Sequence, residues 1–377
     1  MLTFVFTILS LGILTILLAV EKLLIRKTWE NVPLRILING TRGKTQVTRL
    51  VHDVLRYLHF KPLGKISGTV PLWLLPDGNH KRIQRTGPAN VYETITALFK
   101  ARKLKCDSLV VECMAITPEL EETIRKIVNP QITVVTNAFV DHPELGKTEV
   151  ETLKSLLRSV PDDSICILPE HLALPEEMRL SLSKRGIKVK QAKISKILIL
   201  HASRLGVFAE NLALAFEVVN SMGILEEQLL HILEIIPAME HDVGHFEYLE
   251  LSNGAILASA FAANDLASTE KLLKKTIEDH PGRRLVGFIN LRPDRPFRTL
   301  QMIELMERYS FCEIFSYRWC HRAVLKVHPN VKTVRSIEKI TTLTTSSDII
   351  FGFGNIKGLE DWIERTRSKK QKKVVNI

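Results

Sequence analysis

The stretch from Ile36 to Leu50, ILINGTRGKTQVTRL, passes from an apolar run through a turn holding Gly40 and Gly43 into a helical pattern. Leu34 to Asn39 reads as a strand, and Val47, Leu50, Val51, Val54, Leu55 and Leu58 then recur at helical spacing. A strand apolar on both faces needs cover on both faces, which a parallel sheet between helix layers supplies. The same kind of run returns at Ser108 to Glu112 (SLVVE), Ile132 to Asn137 (ITVVTN) and Ser164 to Leu168. The fold class expected is therefore α/β, with functional residues at the carboxyl ends of the strands.

With 377 residues, the chain has room for two domains. Helices are expected over Glu210 to Gly223 and Glu226 to Ile236, and Pro237 to Gly244 reads as a boundary. Beyond it, two β-runs flank Asn253-Gly254, a hairpin signal. A helix near Ser268 to Asp279 and strands at Leu285 to Asn290, Glu313 to Tyr317 and Asp348 to Phe351 predict a second, smaller α/β domain. The expected division is an anchor over 1–25, a central α/β domain over 26–241, a C-terminal α/β domain over 242–366 and a basic, frayed tail over 367–377.

Met1 to Val20 contains no charged side chain. At about 1.5 Å rise per residue such a helix reaches about 30 Å, the hydrocarbon thickness of a bilayer. The positive residues Lys22, Arg26 and Lys27 follow the apolar run instead of preceding it, unlike a cleaved signal peptide. By the positive-inside rule this is a retained single-pass anchor in the cell membrane, with the bulk of the chain in the cytosol. The five cysteines form no C-x-x-C pair, which argues against a zinc site or a disulfide framework. The net charge of +11 points to an acidic partner. No aromatic-rich basic motif accompanies it, so nucleic acid is not the expected partner.

The turn after the first strand has the context of a phosphate-binding loop. Gly40 and Gly43 let backbone N–H groups approach phosphate oxygens, Lys44 can neutralise terminal phosphates, and Thr45 can offer its hydroxyl to Mg²⁺. Ile38 stands where the usual P-loop has its first glycine, so the motif is the shorter G-T-x-G-K-T preceded by Asn39. Glu112 ends an apolar strand, and His142 lies just past another beside Asp141 and Asn137. Both are candidates for a metal held partly by ATP oxygens.

These motifs resemble those of the ATP-dependent amide ligases of the Mur ligase and folylpolyglutamate synthetase superfamily. Within it they resemble the membrane-anchored ATPase subunits of poly-γ-glutamate (capsule) synthesis. The resemblance rests on an ordered series: NGTRGKTQVTRL, GKISGT (Gly64 to Thr69), TGPAN (Thr86 to Asn90), VVECMAITPE, TNAFVDH, AENLALA (Ala209 to Ala215), FAANDLAST (Phe261 to Thr269), NLRPDRPFR (Asn290 to Arg298) and GFGNIKG (Gly352 to Gly358). It implies a P-loop ATPase domain followed by a Rossmann-like C-terminal domain. It also implies roles. Asn39, Gly40, Thr41, Arg42, Gly43, Lys44 and Thr45 would bind the ATP phosphates, and Asn211 would contact adenine. Thr45, Glu112 and His142 would serve Mg²⁺. Asn264, Asp265, Arg292, Asp294 and Arg295 would line a cleft between the domains, with Arg292 and Arg295 clamping a carboxylate or the transferring phosphoryl group.

The activity implied is γ-glutamyl amide formation through an acyl phosphate. The implied partners are glutamate or poly-γ-glutamate, the membrane, and other membrane subunits of a synthase and export complex. The rival reading is an anchored NTPase that drives export without ligation. The sequence also departs from the family pattern. DHPELG is one residue shorter than the common form, and Lys154 sits too near His142 to be assigned as a carbamylated lysine. Glu247 falls where relatives carry Gly-Arg, and His241 and His245 lack the H-E-x-x-H context of a metal pair.

Overall fold

The computed structural model describes residues 2–375 except Thr69, Thr86, Pro88 and residues 141–142, 239–245 and 264–265, with side chains over residues 4–367 apart from Ala267. The chain divides into two compact units, Met1–Met239 and Glu240–Ile377.

The first unit opens with α1 (Leu2–Asn31), whose apolar side chains from Phe4 to Leu24 are mostly exposed. This helix is long and apolar enough to cross a bilayer. Its C-terminal end is fastened to the rest of the unit. The Trp29 indole donates to the Ile127 carbonyl (2.9 Å), and the buried Arg35 guanidinium donates to the carbonyls of Trp29 (2.9 Å) and Val32 (2.7 Å).

The core of the unit follows as β1 (Leu34–Asn39), α2 (Lys44–Tyr57), β2 (Pro62–Ile66), β3 (Leu72–Leu74), β4 (His80–Arg82), α3 (Tyr92–Lys103), β5 (Ser108–Glu112), α4 (Pro118–Val128), β6 (Ile132–Val135), α5 (Glu149–Leu156), β7 (Ile165–Pro169), α6 (Glu176–Lys184), β8 (Lys188–Ala192), α7 (Lys196–Leu205), α8 (Ala209–Asn220) and α9 (Glu226–Ile235). The strands form one sheet in the order β4-β3-β2-β5-β1-β6-β7-β8. It is parallel from β2 to β8, and β3 and β4 extend it as an antiparallel edge. β1 lies between β5 and β6 with every residue from Arg35 to Asn39 buried. Helix α2 turns Val47, Leu50, Val51, Val54 and Leu55 into a core shared with Leu212, Leu214 and Val218 of α8. Parallel packing of this kind brings the carboxyl ends of β1, β2, β5 and β6 to one edge.

The second unit contains β9 (Tyr248–Glu250), β10 (Ile256–Ser259), α10 (Leu266–Asp279), β11 (Arg284–Ile289), α11 (Pro296–Arg308), β12 (Glu313–Tyr317), α12 (Arg322–Val327), β13 (Lys332–Val334), α13 (Glu338–Leu343), β14 (Asp348–Phe353) and α14 (Glu360–Val375). Its sheet order is β13-β12-β11-β14-β10-β9, parallel except for the β9–β10 hairpin around Asn253-Gly254. The α/β class expected from the apolar runs is the class observed, and the second unit is a smaller Rossmann-like sheet. The tail departs from the frayed end expected of it: α14 runs to Val375, and Arg367 on it grips the Glu247 carboxylate (2.9 and 3.1 Å).

Candidate nucleotide and ligation site

The loop between β1 and α2 is shaped by two glycines in the left-handed region. Gly40 has φ +116°, and a Cβ there would stand 2.2 Å from the Thr136 hydroxyl. Gly43, the N-cap of α2, has φ +78°, and a Cβ there would stand 2.7 Å from the Asn211 amide oxygen. The loop therefore lies directly on the chain that follows β6 and on α8, too close for any side chain.

Asn137, just past β6, holds the loop from one side. Its amide oxygen accepts from the Thr41 backbone N–H (3.2 Å), the Thr41 hydroxyl (2.6 Å) and the Arg42 N–H (2.9 Å), while its amide nitrogen donates to the Arg42 carbonyl (3.1 Å). Asn39 holds it from below, accepting from Gly40 N–H (2.8 Å) and donating to the buried Glu121 carboxyl (2.7 Å) and the Ser159 hydroxyl (3.0 Å). The Lys44 ammonium bonds the Gly40 carbonyl at 2.5 Å. Asn211 is buried on α8, and its amide donates to Gln46 (2.7 Å), so its side chain meets the loop and the first turn of α2.

Glu112 closes β5 beside this loop, 4% exposed. One carboxylate oxygen accepts from the Thr45 hydroxyl (3.1 Å) and the Ser67 backbone N–H (3.1 Å). Burial raises its pKa, and the charge of Lys44 offsets only part of that rise. Thr45 and Glu112 thus offer hard oxygens side by side at a helix N-terminus, the donor chemistry Mg²⁺ takes. Among the described residues no group of three His, Cys, Asp or Glu could hold a metal unaided. The fit is to an ion that completes its shell with phosphate oxygens and water.

The structure brings together Asn39, Gly40, Thr41, Arg42, Gly43, Lys44, Thr45, Glu112 and Asn211. His142 and its neighbour Asp141 lie outside the described residues, as do Asn264, Asp265, His241 and His245. On the second unit, Arg292, Asp294 and Arg295 sit in the turn from β11 to α11. Arg292 forks onto Asp294 (2.9 and 2.5 Å), which holds that carboxyl below its ordinary range, and Arg295 is the N-cap of α11. Asn290, at the start of that turn, donates to the carbonyls of Asn355 (2.6 Å) and Lys357 (3.1 Å), tying it to the glycine loop after β14.

Sequence reading passed over four residues at the first site: Lys65, Ser67, Glu93 and Glu121. A lysine inside the strand Pro62–Ile66 was the one local signal, since a charge there must be paired. Glu93 is half-buried on α3 and nothing local marks it, whereas Glu121 shares the buried stripe of Ile124 and Val128 on α4, a spacing that could have found it.

Residues 38–223 match the Mur ligase middle domain, and residues 246–369 match the poly-gamma-glutamate synthase CapB C-terminal domain. The chain belongs to the Mur ligase superfamily, in its poly-γ-glutamate synthase branch. It is 27% identical to the PGA synthase CapB of Bacillus subtilis, over 98% of this chain and 99% of that protein. It is 28% identical to the capsule biosynthesis protein CapB of Bacillus anthracis, over 81% of this chain and 68% of that protein. The fold is that of E. coli FolC solved with ADP (TM-score 0.66, 14% identity, 93% and 94% of the two chains). It is also that of the Yersinia pestis folylpolyglutamate synthase/dihydrofolate synthase solved with AMPPNP and manganese (TM-score 0.65, 11% identity, 92% of each chain). As a member of this superfamily the chain is a nucleotide-binding, ATP-dependent amide ligase.

Proposed function

We propose that this ligase forms γ-glutamyl bonds through an acyl-phosphate intermediate, as the catalytic subunit of membrane poly-γ-glutamate synthesis. The observation that carries the reading is the Lys44–Thr45–Glu112 constellation on a Mur-type loop, in a chain whose second unit matches the CapB C-terminal domain. Backbone N–H groups of the loop bind the ATP phosphates, and Lys44 exchanges its loop carbonyl for phosphoryl oxygens. Mg²⁺, when bound by Thr45 and Glu112 with His142, supplies positive charge to the transferring phosphoryl group. The γ-carboxylate of glutamate or of the growing polymer attacks that group. ADP leaves, an incoming amino group displaces phosphate from the acyl carbon, and the amide forms.

Arg292 and Arg295, with Asn264, Asp265 and Asp294, are assigned to substrate and nucleotide contacts of the second unit, and Asn211 to the nucleotide side of the loop. The domain assignment remains an anchor over 1–25, the ATPase domain over 26–241, the ligase domain over 242–366 and the tail beyond. The anchor places both units on the cytosolic face, beside partner membrane subunits. The charge of +11 suits a polyanionic product.

The test is ligation by purified membranes with γ-carboxyl ¹⁸O-labelled glutamate and ATP. Transfer of one ¹⁸O into phosphate, with amide product seen by mass spectrometry, is expected. ATP turnover with no amide product would establish an export or assembly NTPase instead.

A further inference from the structure

Lys65 lies in β2 with 0% exposure, so its ammonium cannot touch a nucleotide or a substrate. A charge so deeply buried is costly unless it is paired and bonded. Its partners are the Ser67 hydroxyl at 2.6 Å and the Glu93 carboxylate at 3.3 Å. Glu93 in turn holds Arg85 through two bonds, Nε to Oε1 at 2.7 Å and Nη2 to Oε2 at 2.9 Å. The same Nη2 reaches the Ser67 carbonyl at 3.4 Å.

Two of these charged groups, bridged by Glu93, converge on one residue. Ser67 accepts from Lys65 at its hydroxyl and from Arg85 at its carbonyl. Its remaining polar hydrogens both go to Glu112: the hydroxyl donates to the Glu112 carbonyl (3.1 Å) and the backbone N–H to carboxylate Oε2 (3.1 Å). Oε2 is also the atom that accepts from Thr45. The next residue, Gly68, passes so near that a Cβ on it would stand 3.0 Å from the Thr45 hydroxyl and 3.6 Å from Glu112 Oε1. The turn after β2 is thus pressed against both hard oxygen donors, and Lys65 is the group that pins it.

We propose that Lys65 is a positioning residue for the metal site: with Glu93 and Arg85 it locks Ser67, and Ser67 holds the Glu112 carboxylate facing Thr45. The inference rests on the reading of Thr45 and Glu112 as metal-binding residues. It separates Lys65 from Lys44, which acts on phosphate directly. A lysine that only stabilised the fold would change melting temperature and leave metal affinity untouched.

The experiment measures Mn²⁺ binding by electron paramagnetic resonance, on the full chain in detergent, with a non-hydrolysable ATP analogue present. Lys65→Met keeps the length of the side chain and removes its charge. It is expected to weaken Mn²⁺ binding by about tenfold or more, as loss of outer-shell support does elsewhere. Metal-free binding of the analogue should stay within about twofold of wild type, because the phosphate loop is untouched. Wild-type Mn²⁺ affinity in Lys65→Met, with Glu112→Gln weakened, overturns the proposal. Wild-type affinity in Glu112→Gln as well removes the metal reading itself, and the proposal with it. Should Lys65→Met fail to fold, Ser67→Ala leaves the Lys65–Glu93–Arg85 pairing in place and decides the matter. Weakened Mn²⁺ binding there supports the proposal, and unchanged binding overturns it.

Discussion

The glycine loops of the two units are braced in different ways. The loop after β1 is held mostly by buried groups: the half-buried Asn137 and the buried Asn39 grip its backbone, Glu121 stands beneath it, and Glu112 and Lys65 lie alongside. The loop after β14 is tied through Asn290 to a turn whose charges are exposed and satisfy each other, Arg292 on Asp294. Buried groups in low dielectric keep one geometry and interact strongly, whereas exposed pairs are weak and rearrange readily. On the function proposed above, the first unit would supply fixed electrostatics to a transferring phosphoryl group, and the second contacts that form when substrate arrives.

The largest effect should come from Lys44→Ala, which removes the loop's mobile charge while leaving its glycine turns intact. ATP turnover should fall by about a thousandfold, with little change in melting temperature. Near-normal turnover would mean that the rigid loop carries no chemistry. Next, Glu112→Gln preserves shape and removes charge. Phosphoryl transfer should fall by about a hundredfold, with a raised Mg²⁺ requirement read from titrations of activity against metal.

A smaller effect is expected on the second unit. Arg292→Ala breaks an exposed pair, so stability should move by less than about 1 kcal/mol. If Arg292 clamps the carboxylate substrate as proposed, the KM for that substrate should rise by about tenfold. An unfolded second unit in that variant would show the turn to be structural.

A separate effect, on stability and not on turnover, concerns pH. Burial pushes the Glu121 carboxyl up from 4.5 to about 8, so the folded chain keeps a proton there that the unfolded chain releases. Over that window the folded state binds more protons, and stability falls as pH rises from about 4.5 to about 8. Glu121→Gln should flatten this slope in denaturant melts taken at pH 5 and pH 8. A slope equal to wild type would mean that Glu121 is ionised in the fold.

Much of the fold was legible because buried parallel strands leave a local mark. Leu34–Asn39, apolar but for Arg35 and its last residue, and Ser108–Glu112 stand out as apolar runs, and Glu313–Tyr317 is read from its β-forming residues; all three strands form at those positions. The helix from Ala209 to Asn220 showed itself by periodicity, within a few residues at its ends. Ile132–Val135 stops two residues short of the run read for it, because Thr136 and Asn137 leave the ladder to bond the phosphate loop. The tail misled: eleven mostly polar residues carry no apolar stripe, so nothing local announced the helix that Arg367 fastens to Glu247.

The sequence by itself determined the strand–loop–helix order, the placement of Lys44, Thr45 and Glu112 at element ends, and an apolar N-terminal helix. Those follow from apolar periodicity, glycine positions and charge, which act over a few residues. Only the tertiary structure decided that Asn211 rests on Gly43, that Glu121 stands under Asn39, and that Lys65, Glu93 and Arg85 close on Ser67. Asn211–Gly43 and Glu121–Asn39 join segments far apart along the chain, Lys65–Glu93 joins a strand to a later helix, and a side chain's burial depends on what the packed sheet and helices set beside it.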